Sequence, residues 1–79
     1  MTQDEIFAVI LRNVVEVLPE LADREVTPKD SMRELGANSI DRMDVVIAAQ
    51  DELGIKVPAS AFADAPDLGS LAAVFGEYM

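Results

Sequence analysis

Among its 79 residues the chain has no cysteine, no histidine and no tryptophan. Without cysteine there is no disulfide framework and no thiolate nucleophile. Without histidine there is no side chain that titrates unperturbed near neutrality and no zinc site of the usual ligand type. Most enzyme mechanisms lose their central residue at this point. Basic residues are also scarce: six Lys and Arg stand against fifteen Asp and Glu, a net charge of -9. Such a surface repels nucleic acid and anionic membranes and attracts proteins that carry basic patches. No apolar run approaches the roughly 20 residues that span a bilayer, and Met1-Thr2-Gln3-Asp4-Glu5 lacks the positive and apolar regions of a signal peptide. The chain therefore reads as cytoplasmic, with neither nucleic acid nor membrane as a partner. No segment supplies a calcium loop or a Gly-rich phosphate loop, and no metal site is expected.

What is present is 51% hydrophobic residue, mostly aliphatic, with three Phe and one Tyr. A chain this short buries only roughly 60% of its unfolded surface, so residues 1–79 are expected to form one small domain with a modest core. Beginning at Met1 and ending inside an apolar helical pattern at Tyr78-Met79, it reads as complete, freestanding and monomeric. The periodicity predicts an all-α fold: a small bundle of three main helices plus one short helix, with a long loop between helices 1 and 2. Strand signals are too few to build a sheet.

Thr2 and Glu5 have the spacing of a capping box, so a first helix starts there and runs to about Pro19. Ile6, Phe7, Ile10, Leu11, Val14, Val17 and Leu18 share one face, with Glu5, Arg12 and Glu16 opposite. Pro19 to Asn38 is a connection of unusual length for a compact domain, tied down by Leu21, Val26 and Leu35. Within it, Asp30 and Ser31 are placed to cap a turn through Leu35 that Gly36 ends with a positive φ. Asn38 or Ser39 caps a second helix that runs to Gly54. Its inward face is expected to carry Met43, Val46, Ile47 and Leu53, with Ile40 at the border. Asp41, Asp44, Asp51 and Glu52, with Val45 and Ala48 among them, form a second face that suits docking, or simply a solvated helix surface. A short turn at Ala59 to Ala63 lets Phe62 plug the end of the core. Asp67 opens a last helix whose Leu68, Leu71, Val74, Phe75 and Tyr78 pack on helices 1 and 2.

The stretch Glu34-Leu35-Gly36-Ala37-Asn38-Ser39-Ile40-Asp41-Arg42-Met43-Asp44 concentrates what chemistry the chain has. A serine at a helix start is ordinarily a cap. The free amides there also favour a nearby phosphate, although every helix start shares that property. No base is available to make Ser39 a hydrolytic nucleophile, and no pocket is implied that would raise the pKa of Asp41 or Asp44. Catalytic residues are therefore not assigned.

The run Leu35-Gly36-Ala37-Asn38-Ser39-Ile40-Asp41, closed by Leu53-Gly54-Ile55-Lys56-Val57-Pro58, resembles the acyl carrier proteins, and the resemblance covers nearly the whole chain. It implies that Ser39 carries 4′-phosphopantetheine, attached by a phosphopantetheinyl transferase, and that the arm's thiol holds acyl groups as thioesters. The protein itself then catalyses nothing. It further implies that Asp41, Asp44 and Glu52 meet basic patches on the transferase, acyltransferase and acyl-handling enzymes, with Ile40, Met43 and Val45 as the apolar part of that contact. Met43, Val46, Ile47, Phe62, Leu71 and Phe75 are the candidates for an interior that shelters an acyl chain.

Carriers of this family usually place Asp before the serine and Leu after it. This chain has Asn38 and Ile40, and Arg42 adds a positive charge among the acids. In that version it is similar to the freestanding donor carriers of bacterial polyketide β-branching cassettes, which present acetyl to an HMG-CoA-synthase-like enzyme. The absence of Trp separates it from the acceptor carriers of those cassettes. Carriers of fatty-acid synthesis, of other polyketide pathways with a ketosynthase partner, or of aminoacyl groups are the alternatives. Outside the family, the alternative is an acidic helical interaction module without a prosthetic group.

Overall fold

The computed structural model describes residues 2–62 and 65–79; the side chains of Ala59 and Phe62, and with them the expected plug at Phe62, lie outside the described part. Three α-helices form the frame: α1 over Gln3–Val17, α2 over Ser39–Leu53 and α3 over Leu68–Glu77. Two short 3₁₀ turns, Pro19–Asp23 and Ala59–Phe62, add to them. The second was expected. The first is a short helical turn within the long connection, which left room for one: Pro19 cannot continue α1 but is well suited to the first position of a new turn. No strand occurs among the described residues.

Each main helix starts on a side-chain cap. The Glu5 amide donates to Thr2 Oγ1 at 3.2 Å and the Thr2 amide donates to Glu5 Oε1 at 3.0 Å, the reciprocal box expected from the sequence. Those two groups of Thr2, the amide first and then the hydroxyl, hold the Glu5 carboxyl below the usual range. Asp67 caps α3 by accepting from the Ser70 amide at 2.7 Å. Gly54 ends α2 with φ of 71°, and the Ile55 amide reaches back to Gln50 O at 3.1 Å, so the last carbonyls of the helix are satisfied.

The helix α1 is the element on which the others pack. It meets both α2 and α3, whereas direct contact between α2 and α3 is minor among the described residues. The expected packing of α3 on both other helices is thus mainly packing on α1. Ile6, Ile10 and Val14 of α1, with Leu18 just beyond its end, face Val45, Val46 and Ala49 of α2 and Leu68, Leu71, Ala72 and Phe75 of α3, all of them buried. Fully burying aliphatic side chains of this size contributes about 1.5–3 kcal/mol each. Asn13 also lies in this interior, 5% exposed, its Nδ2 donating to Val9 O at 2.8 Å. A buried amide satisfied by its own helix leaves no periodic signal, and nothing in the sequence distinguished it.

The face of α2 that meets the core differs in part from the expected one: Val46 is buried and Leu53 packs against the core as expected, but Met43 and Ile47 do not. Val45 is 1% exposed and Ala49 is fully buried, while Met43 and Ile47 are half exposed and Ile40 is 72% exposed. Size alone favoured placing the larger side chains inward. The helices instead approach through small ones, and the large apolar groups are left on the outer surface beside Asp44 and Asp51.

The long first loop is tied more firmly than its composition suggests. Leu21, Leu35 and Ala37 are buried in it, and the Glu34 amide donates to Ser31 Oγ at 3.1 Å to cap the turn that Gly36 ends at φ 99°. Asp30 makes a different bond from the one expected, accepting from the Thr27 amide at 2.8 Å. Two orphan amides at the start of α3 are satisfied by this loop: Leu68 N donates to Asp30 O at 3.0 Å and Gly69 N to Pro28 O at 2.8 Å. A Cβ at Gly69 would stand 3.1 Å from both Pro28 Cβ and Pro28 O, which explains a glycine inside α3 as a point of close approach.

Candidate functional site

Asn38, not Ser39, caps α2. Its Oδ1 accepts from the Asp41 amide at 2.8 Å, its own amide donates to an Asp41 carboxylate oxygen at 3.4 Å, and its backbone is extended. The Asn38 carbonyl accepts the first backbone bond of the helix, from Arg42 N at 3.0 Å. Ser39 therefore occupies the first helical position with its hydroxyl released from capping. The residue is exposed, and the contact made by its Oγ is a hydrogen bond accepted from Arg42 Nη2 at 3.4 Å.

Between α2, α3 and the first loop lies a cleft of about 520 Å³ with Ser39 on its wall. From α2 it is lined by Ser39, Arg42, Met43 and Val46, and from α3 by Leu68 and Leu71. The first loop contributes Met32 and Arg33, and Asp67 closes the α3 side. The Ser70 amide, and then the Ser70 hydroxyl, hold the Asp67 carboxyl below its usual range, so it stays ionised while capping α3.

The structure sorts the expected site residues into three groups. Asn38, Ser39, Asp41 and Arg42 are joined by hydrogen bonds at the head of α2. Ile40, Met43 and Asp44 are exposed on the outer surface of the same helix, and Ile47, expected inside, joins them one turn further on. Val45 and Glu52 stand apart. Val45 is buried against α1, so its assignment to the contact surface is corrected: it belongs to the core. Glu52 lies about 20 Å along the helix from Ser39, at 1.5 Å per residue, and is ion-paired with Arg12 of α1. Of the residues expected to shelter an acyl chain, Met43, Val46 and Leu71 line the cleft, Phe75 is fully buried in the core and Ile47 faces outward. Met32, Arg33 and Leu68 line the same cleft and were not anticipated. Only the i, i+3, i+7 spacing of Ile40, Met43 and Ile47 could have indicated the outer stripe from sequence.

The chain is thus a small helical bundle with a serine hydroxyl free at the head of a helix, beside a cleft whose wall carries Arg33 and Arg42. Residues 8–75 match the family described as the phosphopantetheine attachment site, and the chain belongs to that family. It is similar to the polyketide biosynthesis acyl-carrier-protein AcpK of Bacillus subtilis (strain 168), with 36% identity over 74 residues, covering 94% of this chain and 90% of that protein. It is also 36% identical over 45 residues to the mitochondrial acyl carrier protein of Dictyostelium discoideum, covering 57% of this chain and 38% of the other. Among solved structures, it is similar to a chain in the crystal structure of the curacin biosynthetic pathway HMG synthase in complex with acetyl donor-ACP. The TM-score is 0.91 at 28% identity, covering 98% of this chain and 99% of that one.

Proposed function

We propose that residues 1–79 act as one cytoplasmic carrier domain, monomeric and without catalysis of its own, whose Ser39 hydroxyl is esterified to the phosphate of 4′-phosphopantetheine. The observation that carries the assignment to Ser39 is the division of labour at the head of α2: Asn38 takes the cap and leaves Ser39 Oγ exposed at the cleft. When attached, the group supplies a thiol that holds acyl units as thioesters. The residues of the chain do the rest. Ser39 offers the oxygen of attachment, the Asn38–Asp41 box keeps it at the helix head, and Met43, Val46, Leu68 and Leu71 give an apolar wall along which an arm can lie. A phosphopantetheinyl transferase loads the arm and an acyltransferase charges it.

The acyl unit is acetyl, and its recipient is an HMG-CoA-synthase-like enzyme of a polyketide β-branching cassette. This reading is supported by Asn38, Ile40 and Arg42 around the serine, by the likeness to AcpK, and by the likeness to the chain from the HMG synthase complex with acetyl donor-ACP. The outer surface of α2, with Ile40, Met43 and Ile47 exposed beside Asp44, is the docking face; it combines apolar contact with charge that steers encounter while adding little affinity. That balance suits a carrier that must leave each enzyme after visiting it.

Co-expression with a broad-specificity phosphopantetheinyl transferase should add one phosphopantetheine mass to the wild-type chain and none to Ser39→Ala. An unmodified wild type would sink the assignment. The acetylated holo form should serve as donor to an HMG-synthase-like enzyme, and a general fatty-acid carrier should replace it only with loss of rate. Equal rates would remove Asn38, Ile40 and Arg42 as determinants of the partner.

A further inference from the structure

We infer that Arg42 is an intramolecular clamp for the phosphodiester that the carrier reading places on Ser39, and that it sets the direction in which the arm leaves the serine. The proposal rests on that reading and on three observations. First, Arg42 Nη2 already donates to Ser39 Oγ at 3.4 Å. Residues three apart on a helix are surface neighbours, so this closeness is built into α2 rather than into a mobile loop. Second, Arg42 has no carboxylate partner among the described residues, where the one ion pair joins Arg12 and Glu52. Like the other bases apart from Arg12, Arg42 is thus available to a new anion, and it is the one that already touches Ser39. The neighbouring acids do not capture it: Asp41 is held in the capping box, and Asp44, two residues on, faces another direction. Third, Arg42 and Arg33 are the cations on the wall of the cleft that contains Ser39, and the carboxylate on that wall, Asp67, is occupied by Ser70.

The chemistry then follows. Ser39 Oγ is at present a hydroxyl acceptor. As an ester oxygen it becomes a poor acceptor, and the negative charge sits one bond further out, on the non-bridging oxygens. A guanidinium is always charged and presents five N–H donors in a planar fork, which matches two such oxygens at once. Arg42 thus exchanges a weak hydrogen bond for a charge-assisted one without moving along the helix. The amides of the first turn of α2 add a favourable field, but they are common to every helix and do not choose a direction. Arg42 does, because it approaches from the side on which Met43 and Val46 continue the cleft wall.

The experiment compares apo and holo forms of the full chain, uniformly 15N-labelled, as wild type, Arg42→Gln, Arg42→Lys and Arg24→Gln. Intact mass is read first: absence of the arm from the wild type overturns the carrier reading itself. With the arm in place, the side-chain 15N–1H signals of Arg42 should shift on conversion from apo to holo in the wild type, a readout that needs no variant. The 31P line of the holo form should move in Arg42→Gln, move less in Arg42→Lys and stay put in Arg24→Gln, whose side chain lies away from the cleft. Raising salt to about 1 M, where screening acts within about 3 Å, should bring the wild-type line toward that of Arg42→Gln. A fully loaded wild type with unmoved Arg42 signals, or an Arg42→Gln holo form with the wild-type 31P line, overturns the clamp and leaves the carrier reading intact.

Discussion

Two adjacent polar residues at the head of α2 divide what one serine ordinarily does. Asn38 satisfies the orphan amide of the first turn and Ser39 is left with a hydroxyl that the helix does not need. Their stability effects should therefore differ: Asn38→Ala is expected to cost about 1 kcal/mol in urea unfolding of the apo chain, and Ser39→Ala to remain within about 0.5 kcal/mol of wild type. Equal losses would mean that Ser39 is structural after all. The carboxylate that caps α3, Asp67, yields a pH dependence. Its folded-state pKa is lowered, chiefly by the Ser70 amide, so folding favours the ionised form. The resulting stability is present above the ordinary carboxyl range and is lost as pH falls through the lowered value. Between about pH 5 and pH 3 the urea midpoint of the wild type should fall more steeply than that of Asp67→Asn, which keeps a capping oxygen but does not titrate. Parallel curves would show that the bond to Ser70 has no linkage to folding.

At the scale of the element, α2 has an inner face of small residues and an outer face of large ones. Val45 and Ala49 let the helix close on α1, and Ile40, Met43 and Ile47 are displaced outward. Val45→Ala should destabilise the chain by about 1.5–3 kcal/mol through lost burial and a residual cavity. Ile47→Ala should stay within about 0.5 kcal/mol of wild type yet weaken association with the acyl-handling partner. Urea titration and a binding isotherm on both variants separate the two faces, and the reverse pattern would restore Ile47 to the core. The elements themselves were largely legible: the Thr2–Glu5 box, Pro19, Gly54 and Asp67 mark helix limits through local chemistry that needs no tertiary contact. The phase of α2 was not, because its apolar residues spread around much of the helix, and which side closes on α1 depends on how near the backbones can come.

For the whole molecule, the net charge of -9 and the acidic outer surface of α2 govern how partners are met. Exposed charges act through long-range attraction that salt screens within about 10 Å at 0.1 M ionic strength. The association rate of the holo form with its acyl-handling enzyme should thus fall by about tenfold or more between low and high salt, with the dissociation rate changing little. Stopped-flow measurement at two ionic strengths tests this. A salt effect confined to dissociation would assign the charges to the bound complex instead. In the same arrangement α2 and α3 pack on α1 and touch each other little, and the cleft beside Ser39 lies between them.

The sequence by itself determined the limits of the three main helices, the caps at Thr2 and Asp67, and the acidic balance. These depend on residue type and on spacings within a turn or two. Tertiary structure alone decided that Val45 is inside and Ile47 outside, that Asn13 is a core residue, that Glu52 is paired with Arg12, and that Arg33, Met32 and Leu68 share a cleft with Ser39. Those facts depend on how three helices pack, and packing is chosen by shape complementarity among residues far apart in the chain, which no local pattern records.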